Sequence, residues 1–461
     1  MKILIVGSGA REHAIAKALI KSRHHPNLVC FGSSNNPGIK ALICHPERSD
    51  SEVKDPLTSE GILRFAQNDK YTIGKLTDTE AIISFAIKNT IDWAIVGPEG
   101  PLAAGVVDAL AAKNNPCVGP TIRLAQIESS KSFARDLLSY HHVPGLPEYK
   151  RLESTDGVKE FTTQLHDSYV VKADGLMSGK GVKVYGEHLH SLDETLAFIA
   201  EITANGDPFV IEEKFVGEEF SLMSFCDGTH LAHMPAVQDH KRAHAGDTGP
   251  NTGGMGTYSD TNHSLPFLNA SDIAQAQKIN ELTAQALHTQ FSEPYKGILY
   301  GGFMATKDGV NLIEYNARFG DPECMNVLSI LKTDFVDVCQ AIIHGTLDTL
   351  IVEFDTRATV CKYAVPEGYP DDPVKNQPID VSAVSDKNCL YYAGVDERDG
   401  QLYETGSRTV AVLGLGETLA VAEQQAEKEI ERITGPVFHR PDIGTAALLQ
   451  KRIESMKKIR A

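Results

Sequence analysis

The first part of the chain alternates between the patterns of buried strands and helices, and this alternation limits the possible folds more than any other feature. An apolar run from Lys2 to Val6 is typical of a parallel strand that is covered on both faces. A glycine turn, helical spacing from Arg11 to Lys21 and a second strand pattern from Leu28 to Phe31 follow it. The strand pattern returns at Trp93 to Val96. We therefore predict an α/β fold, a doubly wound parallel sheet, over residues 1–122.

The rest of the chain divides by pattern into two further regions. At 461 residues, the chain is long enough for about three domains of roughly 150 residues each. A helix predicted from Leu102 to Lys113 completes the first region, and residues 123–350 alternate strands and helices less regularly. Over residues 351–461, short strand patterns such as Ala358 to Val365 and a helix pattern from Glu417 to Arg432 predict a small α+β domain.

Residues 44–70 interrupt the alternation of the first region. The stretch is polar and lacks strand periodicity, whereas connections in α/β folds normally hold about 2–6 residues. We predict an inserted surface segment at this position. A functional lid is one interpretation, but long surface insertions cost little stability, so a tolerated passenger is the favoured one.

Composition and charge argue against several classes of partner. The chain carries 61 acidic and 44 basic residues, a net charge of −17, whereas nucleic-acid binding depends on basic contacts to phosphate. No apolar run approaches the roughly 18 residues that a membrane span needs. The 8 cysteines form no CxxC pair and no zinc-like cluster, which predicts reduced thiols in a cytoplasmic protein. We therefore expect no nucleic-acid and no membrane partner, although local basic groups can still bind a small polyanion.

The glycine turn after the first strand has two functional interpretations besides a plain structural turn. A dinucleotide site is disfavoured because Glu12 occupies the position of the third glycine of that fingerprint. A cradle of backbone amides around Gly9, assisted by Arg11, suits a single phosphate group. On these residues alone, phosphate binding is only slightly favoured over a structural strand–helix turn.

Two later stretches have the composition of a nucleotide site. In the first, Lys172 leads from a strand into a loop with three glycines and Lys180, which places amides and positive charge over phosphates, although a β-hairpin is the alternative. In the second, an apolar strand reaches Glu212 and Glu213 and continues to Glu219. Such a connection can bind an adenine edge through its backbone and a ribose through a carboxylate. By spacing alone, an exposed charged turn is the more common outcome.

A long glycine-rich loop follows, with Asp239, Lys241 and Arg242 at its start and glycines up to Gly256. So many glycine and polar residues cannot build a core, and the segment is long for a simple connection. It is typical of an active-site loop that brings basic side chains to phosphates. A surface loop without a function is the alternative.

Residues 313–323 carry the clearest metal-binding pattern in the chain. Alternation along a strand places Glu314 and Asn316 on one face, and carboxylate and amide oxygens suit Mg²⁺. Arg318 shares that face if the strand continues, where it can offset charge on a transferring phosphoryl group. A half-exposed polar strand is the alternative, but the turn that ends the strand presents two more acids.

In this order, the segments resemble the phosphoribosylamine–glycine ligase (glycinamide ribonucleotide synthetase) family, an ATP-grasp family of purine biosynthesis. The resemblance extends over nearly the whole chain, and the combination of a QDHKR run with a GPNTGGMG run is its most specific part. The segments that carry it are GSGAREH, IVGPEGPL, SKSFARDLL, VVKADGLMSGKGV, QDHKR, GDTGPNTGGMG, IEYNARFGDPE and HRPDIG.

The resemblance implies a fold and a reaction. It implies an ATP-grasp domain at 123–350 with a mobile lid at about 145–216, between an N-terminal domain at 1–122 and a C-terminal domain at 351–461. ATP phosphorylates the carboxylate of glycine, and the amine of 5-phosphoribosylamine attacks the acyl phosphate. The products are glycinamide ribonucleotide, ADP and phosphate. Mg²⁺ or Mn²⁺ is the implied cofactor, the implied partners are these small molecules, and a monomer is expected.

Functional residues follow from the resemblance by position. The implied contacts to ATP are Lys131, Lys172, Glu212, Glu213, Lys214, Phe215, Glu219, Arg242 and Asn251. The implied metal ligands are Glu314 and Asn316. The implied contacts to the other substrates are Gly9, Arg11, Asp239, Gly320 and Asp321. The implied catalytic residues are Arg318, Lys172 and Asp239.

The chain departs from the family pattern at a few positions, and two other functions stay open. Ala10 replaces a usual glycine, residues 214–216 replace Phe-Leu-Asp, Ala317 stands where cysteine is common, and residues 44–70 have no counterpart. One alternative is an ATP-grasp carboxylase or formate-dependent transferase. The other is a nucleotide-binding paralogue without catalysis, which the intact Lys172 and the intact 313–323 segment disfavour.

Overall fold

The structure, a computed structural model, describes residues 1–43, 70–176, 181–204 and 206–461. The insertion predicted at 44–70 lies outside the described residues except for Lys70, and so do Met177 to Lys180 of the glycine loop. Among the helices of the described ranges, none is long and apolar enough to cross a membrane.

The N-terminal region folds as the predicted parallel sheet. Its elements are β1 (Lys2–Val6), α1 (Ala10–Ile20), β2 (Asn27–Gly32), α2 (Pro37–Ile43), β3 (Tyr71–Ile73), α3 (Thr79–Asn89), β4 (Trp93–Val96), α4 (Glu99–Ala103), α5 (Val106–Ala111) and β5 (Cys117–Val118). The strand order is β3-β2-β1-β4-β5, and every pair is parallel. Strand β1 is central, and its residues Ile3 to Val6 are fully buried. The apolar run at the start of the chain therefore reflects cover on both faces.

The single helix predicted from Leu102 to Lys113 is wrong, because two helices, α4 and α5, occupy this stretch. Gly105 lies between them with a φ of +78°, a left-handed conformation that breaks the helix. The apolar spacing continues across Gly105, so the pattern alone did not reveal the break.

Residues 126–213 contain a separate four-stranded sheet. The elements are α6 (Gln126–Ser129), α7 (Lys131–Tyr140), β6 (Tyr149–Leu152), α8 (Val158–Gln164), β7 (Tyr169–Ala173), β8 (Val182–Val184), α9 (Leu192–Thr203) and β9 (Phe209–Glu213). The sheet is antiparallel with the order β6-β9-β7-β8. Together with α8 and α9 it encloses a core of its own. A separate core supports the predicted lid subdomain at 145–216, whose mobility stays a prediction.

Residues 218–344 supply a second four-stranded sheet and the glycine-rich loop. The elements are β10 (Glu218–Asp227), β11 (Leu231–His233), β12 (Gln238–Asp239), β13 (Arg242–His244), β14 (Thr248–Asn251), β15 (Gly256–Ser259), α10 (Ala270–Phe291), β16 (Lys296–Ala305), β17 (Val310–Asn316), α11 (Glu323–Ser329) and α12 (Phe335–His344). The order β11-β10-β16-β17 is antiparallel. Asn269 and Asp272 form a capping box that begins the long helix α10.

The C-terminal region is α+β, as predicted. Its elements are β18 (Ala358–Pro366), β19 (Pro378–Ile379), β20 (Leu390–Tyr392), β21 (Val395–Arg398), β22 (Gln401–Glu404), β23 (Val410–Gly416), α13 (Leu419–Ile430), β24 (Val437–Phe438) and α14 (Ala446–Arg460). Three of these strands join two strands of the glycine-rich loop in the order β12-β15-β18-β23-β20. One sheet therefore contains strands from both sides of the boundary predicted at residue 350. The position of that boundary stays a prediction.

Glu404 on β22 has a buried carboxyl group without a hydrogen-bond partner in the described ranges. Burial and the nearby Glu367 raise its pKa to about 7. Because the folded state holds this proton more tightly than the unfolded chain, its stabilising effect is present below the ordinary carboxyl pKa of about 4.3 and is lost as pH rises through 7. Glu404→Gln should therefore raise the thermal unfolding temperature more at about pH 8 than at about pH 5.

Thermal unfolding at the two pH values measures this difference, with Glu417→Gln as the exposed control. The control should change the unfolding temperature little at either pH. An equal gain for Glu404→Gln at both pH values contradicts the assignment.

Candidate active site

A cleft of about 1130 Å³ lies between the two four-stranded sheets and the glycine-rich loop. Small-molecule sites typically measure roughly 300–1,000 Å³, so it has room for more than one substrate. The predicted site residues that line it are Arg11, Lys131, Lys172, Glu212, Glu213, Lys214, Phe215, Glu219, Asp239, Arg242, Asn251, Glu314, Asn316, Arg318, Gly320 and Asp321. Gly9 is not among the lining residues, and its amide donates to Glu12 Oε2 at 2.6 Å. That amide is therefore already engaged within the protein.

The predicted metal face lies at the end of strand β17. Glu314 and Asn316 both line the cleft, as the alternation of the strand predicts. The register changes from Phe303 opposite Leu312 to Gly302 opposite Glu314, so β17 has one extra residue at this point. Burial alone raises the pKa of the Glu314 carboxyl, but Lys241, Lys172 and Lys131 lower it below its usual value. Glu314 is therefore ionised at neutral pH.

The extra residue of β17 is Ile313, and its carbonyl oxygen binds two cations. It accepts hydrogen bonds from Arg135 Nη2 at 2.6 Å and from Lys172 Nζ at 3.1 Å. A carbonyl that the bulge frees from the strand ladder thus fixes the two basic groups beside the metal face.

Glu212 lies between the same two cations. Its carboxylate accepts from Arg135 Nε at 2.7 Å and Nη2 at 3.0 Å, and it pairs with Lys172 Nζ at 2.6 Å. Burial alone raises the pKa of Glu212, but Arg135 and Lys172 lower it to about 2. All three side chains are almost completely buried. The side chain of Glu212 therefore holds Lys172 in place, and its backbone lies within the sheet, opposite Tyr149 of β6 and Val170 of β7.

Lys131 is fixed at the start of helix α7. Its backbone amide donates to Asp174 Oδ1, and its Nζ donates to the carbonyl oxygen of Gly175 at 2.9 Å. The hydroxyls of Ser130 and Ser132 also donate to Asp174. Asp174 thus anchors the described end of the glycine loop that follows Lys172 to this helix.

Ion pairs connect the glycine-rich loop to the lid. Arg242 Nη2 pairs with Glu187 at 2.6 Å, and Lys214 Nζ pairs with the same carboxylate at 2.9 Å. Glu219 pairs with Lys241, so the predicted ribose ligand already has a cationic partner. Asn251 lies opposite Arg242 in the β13–β14 hairpin. The predicted nucleotide contacts are therefore adjacent to one another.

Arg318 does not continue the strand face, because β17 ends at Asn316. Its guanidinium pairs with Glu128 at 3.0 Å and with Glu99 at 3.3 Å. The prediction of a shared strand face is therefore wrong, although Arg318 still lines the cleft. The side chain instead links the segment that carries the predicted metal ligands to the N-terminal region.

Carboxyl groups and an arginine surround the far end of the cleft. Burial, followed by the charge of Glu323, raises the pKa of Asp239 well above its usual value. Asp321 accepts from Tyr363 Oη at 2.7 Å and pairs with Arg408 Nη2 at 3.3 Å. A Cβ atom at Gly320 would lie 2.4 Å from Glu323 Oε2, so a larger residue there would require the buried Glu323 side chain to move.

Arg408 connects this end of the cleft to the C-terminal region. Its Nη1 donates to the carbonyl oxygens of Gly253 at 2.7 Å, Asp321 at 2.8 Å and Gly254 at 3.1 Å. The guanidinium also lies over the ring of Tyr363, 4.5 Å from its centroid. One side chain thus holds the glycine-rich loop against the segment that carries Asp321.

Sequence reasoning missed several residues that shape the cleft: Glu99, Glu128, Arg135, Glu187 and Arg408. Glu99 had a weak signal, because it lies in a glycine- and proline-rich turn directly after a buried strand. Arg135 and Arg408 have no local pattern, since their partners are distant in the chain.

The fold and the cleft define an ATP-grasp protein. The profile described as "Phosphoribosylglycinamide synthetase, ATP-grasp (A) domain" matches residues 129–324. The N domain and C domain profiles of the same synthetase match residues 1–128 and 359–446. A biotin carboxylase structure from Campylobacter jejuni aligns with a TM-score of 0.68 at 13% identity, over 99% of this chain and 95% of that chain. This last likeness shows the shared fold alone.

The chain belongs to the phosphoribosylamine–glycine ligase family. The phosphoribosylamine–glycine ligase of Methanosarcina barkeri is 45% identical over 460 residues, which cover 100% of both chains. The ligase of the same name from Methanocella arvoryzae is 44% identical over 460 residues, again covering 100% of both. A crystal structure of the Thermotoga maritima ligase aligns with a TM-score of 0.76 at 26% identity, over 96% of this chain and 100% of that chain.

Removing the charge of Glu212 should destabilise the protein strongly. Glu212→Gln leaves Arg135 and Lys172 buried without their anionic partner, and breaking a buried pair in this way costs about 3–5 kcal/mol. The next residue, Glu213, is exposed, so Glu213→Gln is the matched control with an expected change within about 0.5 kcal/mol. Chemical denaturation at neutral pH gives both free energies of unfolding. Equal free energies of unfolding for the two variants would show that the buried ion pairs do not contribute this stability.

Proposed function

We propose that the cleft uses ATP to join glycine to 5-phosphoribosylamine. ATP phosphorylates the carboxylate of glycine, and the amine of 5-phosphoribosylamine then displaces phosphate from glycyl phosphate. The products are glycinamide ribonucleotide, ADP and phosphate, a step of purine biosynthesis. The observation that carries this proposal is the match of the whole chain, at 44–45% identity, to relatives named phosphoribosylamine–glycine ligase.

In this proposal, ATP lies between the lid sheet and the glycine-rich loop. Lys131 and Lys172 bind its phosphates, and Arg242 and Asn251 add contacts from the β13–β14 hairpin. The connection of residues 212–215 contacts adenine. Glu219 accepts from the ribose hydroxyls and shares its charge with Lys241. The convergence of these groups on one cleft supports the assignment.

A divalent cation, Mg²⁺ or Mn²⁺, fits the metal face. The donors are hard oxygens, and the Glu314 carboxyl is ionised because three lysines lower its pKa. We propose that Glu314 and Asn316 hold the ion. When bound, it neutralises charge on the phosphates of ATP.

The remaining predicted residues act on the acceptor side. Asp239 and Asp321 offer carboxyl groups to the ammonium group of glycine, and a bound cation lowers the raised pKa of Asp239. Gly320 provides a backbone without a side chain beside them. The catalytic role falls to Lys172, Arg318 and Asp239. Lys172 and Arg318 stabilise charge on the transferred phosphoryl group, and Asp239 orients the acceptor.

Arg11 extends the acceptor side toward the N-terminal region. Its Nη1 donates to the carbonyl oxygen of Phe319 at 3.0 Å, so it lies directly beside the Arg318–Asp321 segment. We propose that Arg11, rather than the amide of Gly9, offers positive charge to 5-phosphoribosylamine, because that amide binds Glu12.

The two alternative functions are not favoured. A carboxylase or formate-dependent transferase does not fit relatives that share one ligase name over the full length. A non-catalytic paralogue does not fit the intact metal face and lysines. We further propose a cytoplasmic monomer, with a lid at 145–216 and domain boundaries near residues 122 and 350.

Omission of each substrate in turn tests the reaction. We expect phosphate release only when ATP, Mg²⁺, glycine and 5-phosphoribosylamine are all present, because the amine must consume the acyl phosphate for turnover. Phosphate release and glycinamide ribonucleotide formation are measured together. Rapid turnover without glycine, or its replacement by bicarbonate or formate, would refute the proposal.

Replacement of the charged metal ligand tests the metal face. Glu314→Gln should lower metal-dependent turnover by more than about 100-fold, since even the indirect partners of metal ligands contribute roughly 10–100-fold. Asp308→Asn, in the exposed turn of the same hairpin, removes one negative charge away from the cleft and should retain activity. Turnover is titrated with Mg²⁺ and Mn²⁺. Near-normal turnover of Glu314→Gln at saturating metal excludes the ligand role.

A further inference from the structure

The His-Arg-Pro-Asp-Ile-Gly segment at residues 439–444 holds a fully buried arginine outside the predicted site. The side chain of Arg440 is only 1% exposed. Its Nε and Nη2 atoms bind the Asp442 carboxylate at 3.0 and 2.8 Å. A buried guanidinium with a fork-like contact is strongly held and precisely oriented.

The other contacts of Arg440 are with the β13–β14 hairpin of the glycine-rich loop. Its Nη1 donates to the carbonyl oxygen of Arg242 at 3.0 Å, and its Nη2 donates to Asp247 Oδ1 at 3.1 Å. Asp442 accepts from the amide of Gly246 at 2.9 Å. The Arg440–Asp442 pair therefore binds both the first strand of the hairpin and its turn.

Helix α14 adds a second set of ion pairs to the same turn. Arg452 Nη2 pairs with Asp247 Oδ2 at 2.8 Å, and its Nη1 pairs with Glu218 at 3.1 Å. Lys451 Nζ lies 3.4 Å from Asp247 Oδ2. The nearby His240 adds no charge, because burial, Arg452 and Arg440 lower its pKa to about 3. Asp247 is thus the anionic centre of a cluster that the C-terminal segment supplies with cations.

The other described contacts of the hairpin are few: Ala243 is buried, the ring of His244 lies 5.8 Å from that of Phe438, and Arg242 pairs with Glu187. Strands β13 and β14 pair only with each other in the described structure. A lone two-stranded hairpin is marginally stable in water. Most residues of the turn are exposed, so few apolar contacts compensate. The hydrogen bonds and ion pairs from the C-terminal segment therefore determine where the hairpin lies.

The position of the hairpin matters for the cleft. Arg242, whose carbonyl Arg440 holds, directs its own side chain to Glu187 of the lid. Lys241, one residue earlier, pairs with Glu219, and its carbonyl oxygen accepts a hydrogen bond from the backbone amide of Thr252 at 2.7 Å. A shift of the hairpin moves these basic groups relative to the lysines of the lid.

We propose that Arg440 is a positioning residue for the ATP subsite. With Asp442 it fixes the β13–β14 hairpin, and through the hairpin it sets the placement of Lys241, Arg242 and Asn251. Arg440 itself does not line the cleft. The inference rests on the proposed function only in taking ATP as the nucleotide.

Arg440→Lys tests this role, because it keeps the charge but removes the planar fork that serves three partners. Hydrogen exchange of the amides at 242–251 should become at least about 10-fold faster. The KM for ATP should rise about 10–100-fold, since small misplacements of binding groups cost up to about 10²-fold. The KM for glycine should stay within about twofold, which a general loss of folded protein does not explain.

Two further variants complete the experiment. Arg432→Lys is the matched control, because Arg432 pairs with Glu429 of α13 and makes no contact with the hairpin among its described bonds. Neither the exchange nor the KM for ATP should change in this control. Asp442→Asn should reproduce the Arg440→Lys pattern in weaker form. If Arg440→Lys does not fold, Asp442→Asn is the variant that tests the role.

Two results would overturn the positioning role. One is unchanged exchange of the hairpin amides in Arg440→Lys and Asp442→Asn. The other is faster exchange with an unaltered affinity for ADP and Mg²⁺ in calorimetry. Hydrogen exchange and ADP affinity do not depend on the acceptor substrate. They therefore decide the role of Arg440 even if the wild-type protein shows no glycine-dependent phosphate release.

Discussion

Three buried charges from distant parts of the chain meet in the cleft: Arg135 of α7, Lys172 of β7 and Glu212 of β9. Their removal from water carries a large desolvation cost, which only close pairing and further hydrogen bonds offset. The bulge carbonyl of Ile313 supplies those further bonds to both cations. The four-stranded sheet of β6 to β9, helix α7 before it and strand β17 are therefore linked by a single polar cluster.

This cluster also explains why one loop can serve a site built from several regions. The lid contributes lysines, β17 contributes the metal face, and the glycine-rich loop must meet both. Arg408 holds the end of that loop at Gly253 and Gly254. Most residues of the loop are glycine or polar, and its buried apolar side chains are Ala243 and Met255. Polar contacts from other regions therefore supply much of its order.

The fold was predictable where local pattern and burial agree. The apolar runs of β1 and β4 predicted buried parallel strands because both faces of those strands are covered. The helix after β4 was not predictable in detail, since apolar spacing carries no information on the left-handed conformation of Gly105. Pattern reports which face is buried, whereas backbone breaks depend on single residues.

For the site, alternation predicted the neighbouring positions of Glu314 and Asn316 correctly, because they lie on one strand. It failed for Arg318, since nothing local signals that the strand ends two residues earlier. The partners of Arg135 lie 77 and 178 residues away in the chain. Such contacts come from tertiary folding, and no local spacing encodes them.

The mixed sheet has a consequence for synthesis of the protein. Gly256 of the glycine-rich loop pairs with Lys362, so β15 leaves the ribosome well before its partner β18. At about 5–20 residues per second, the wait is roughly 5–20 s. During that interval the chain already has Lys131 and Lys172, and Glu314 and Asn316 are added about halfway through it, but β15 still lacks its partner β18. Translation order thus delays a complete cleft until the C-terminal strands have emerged.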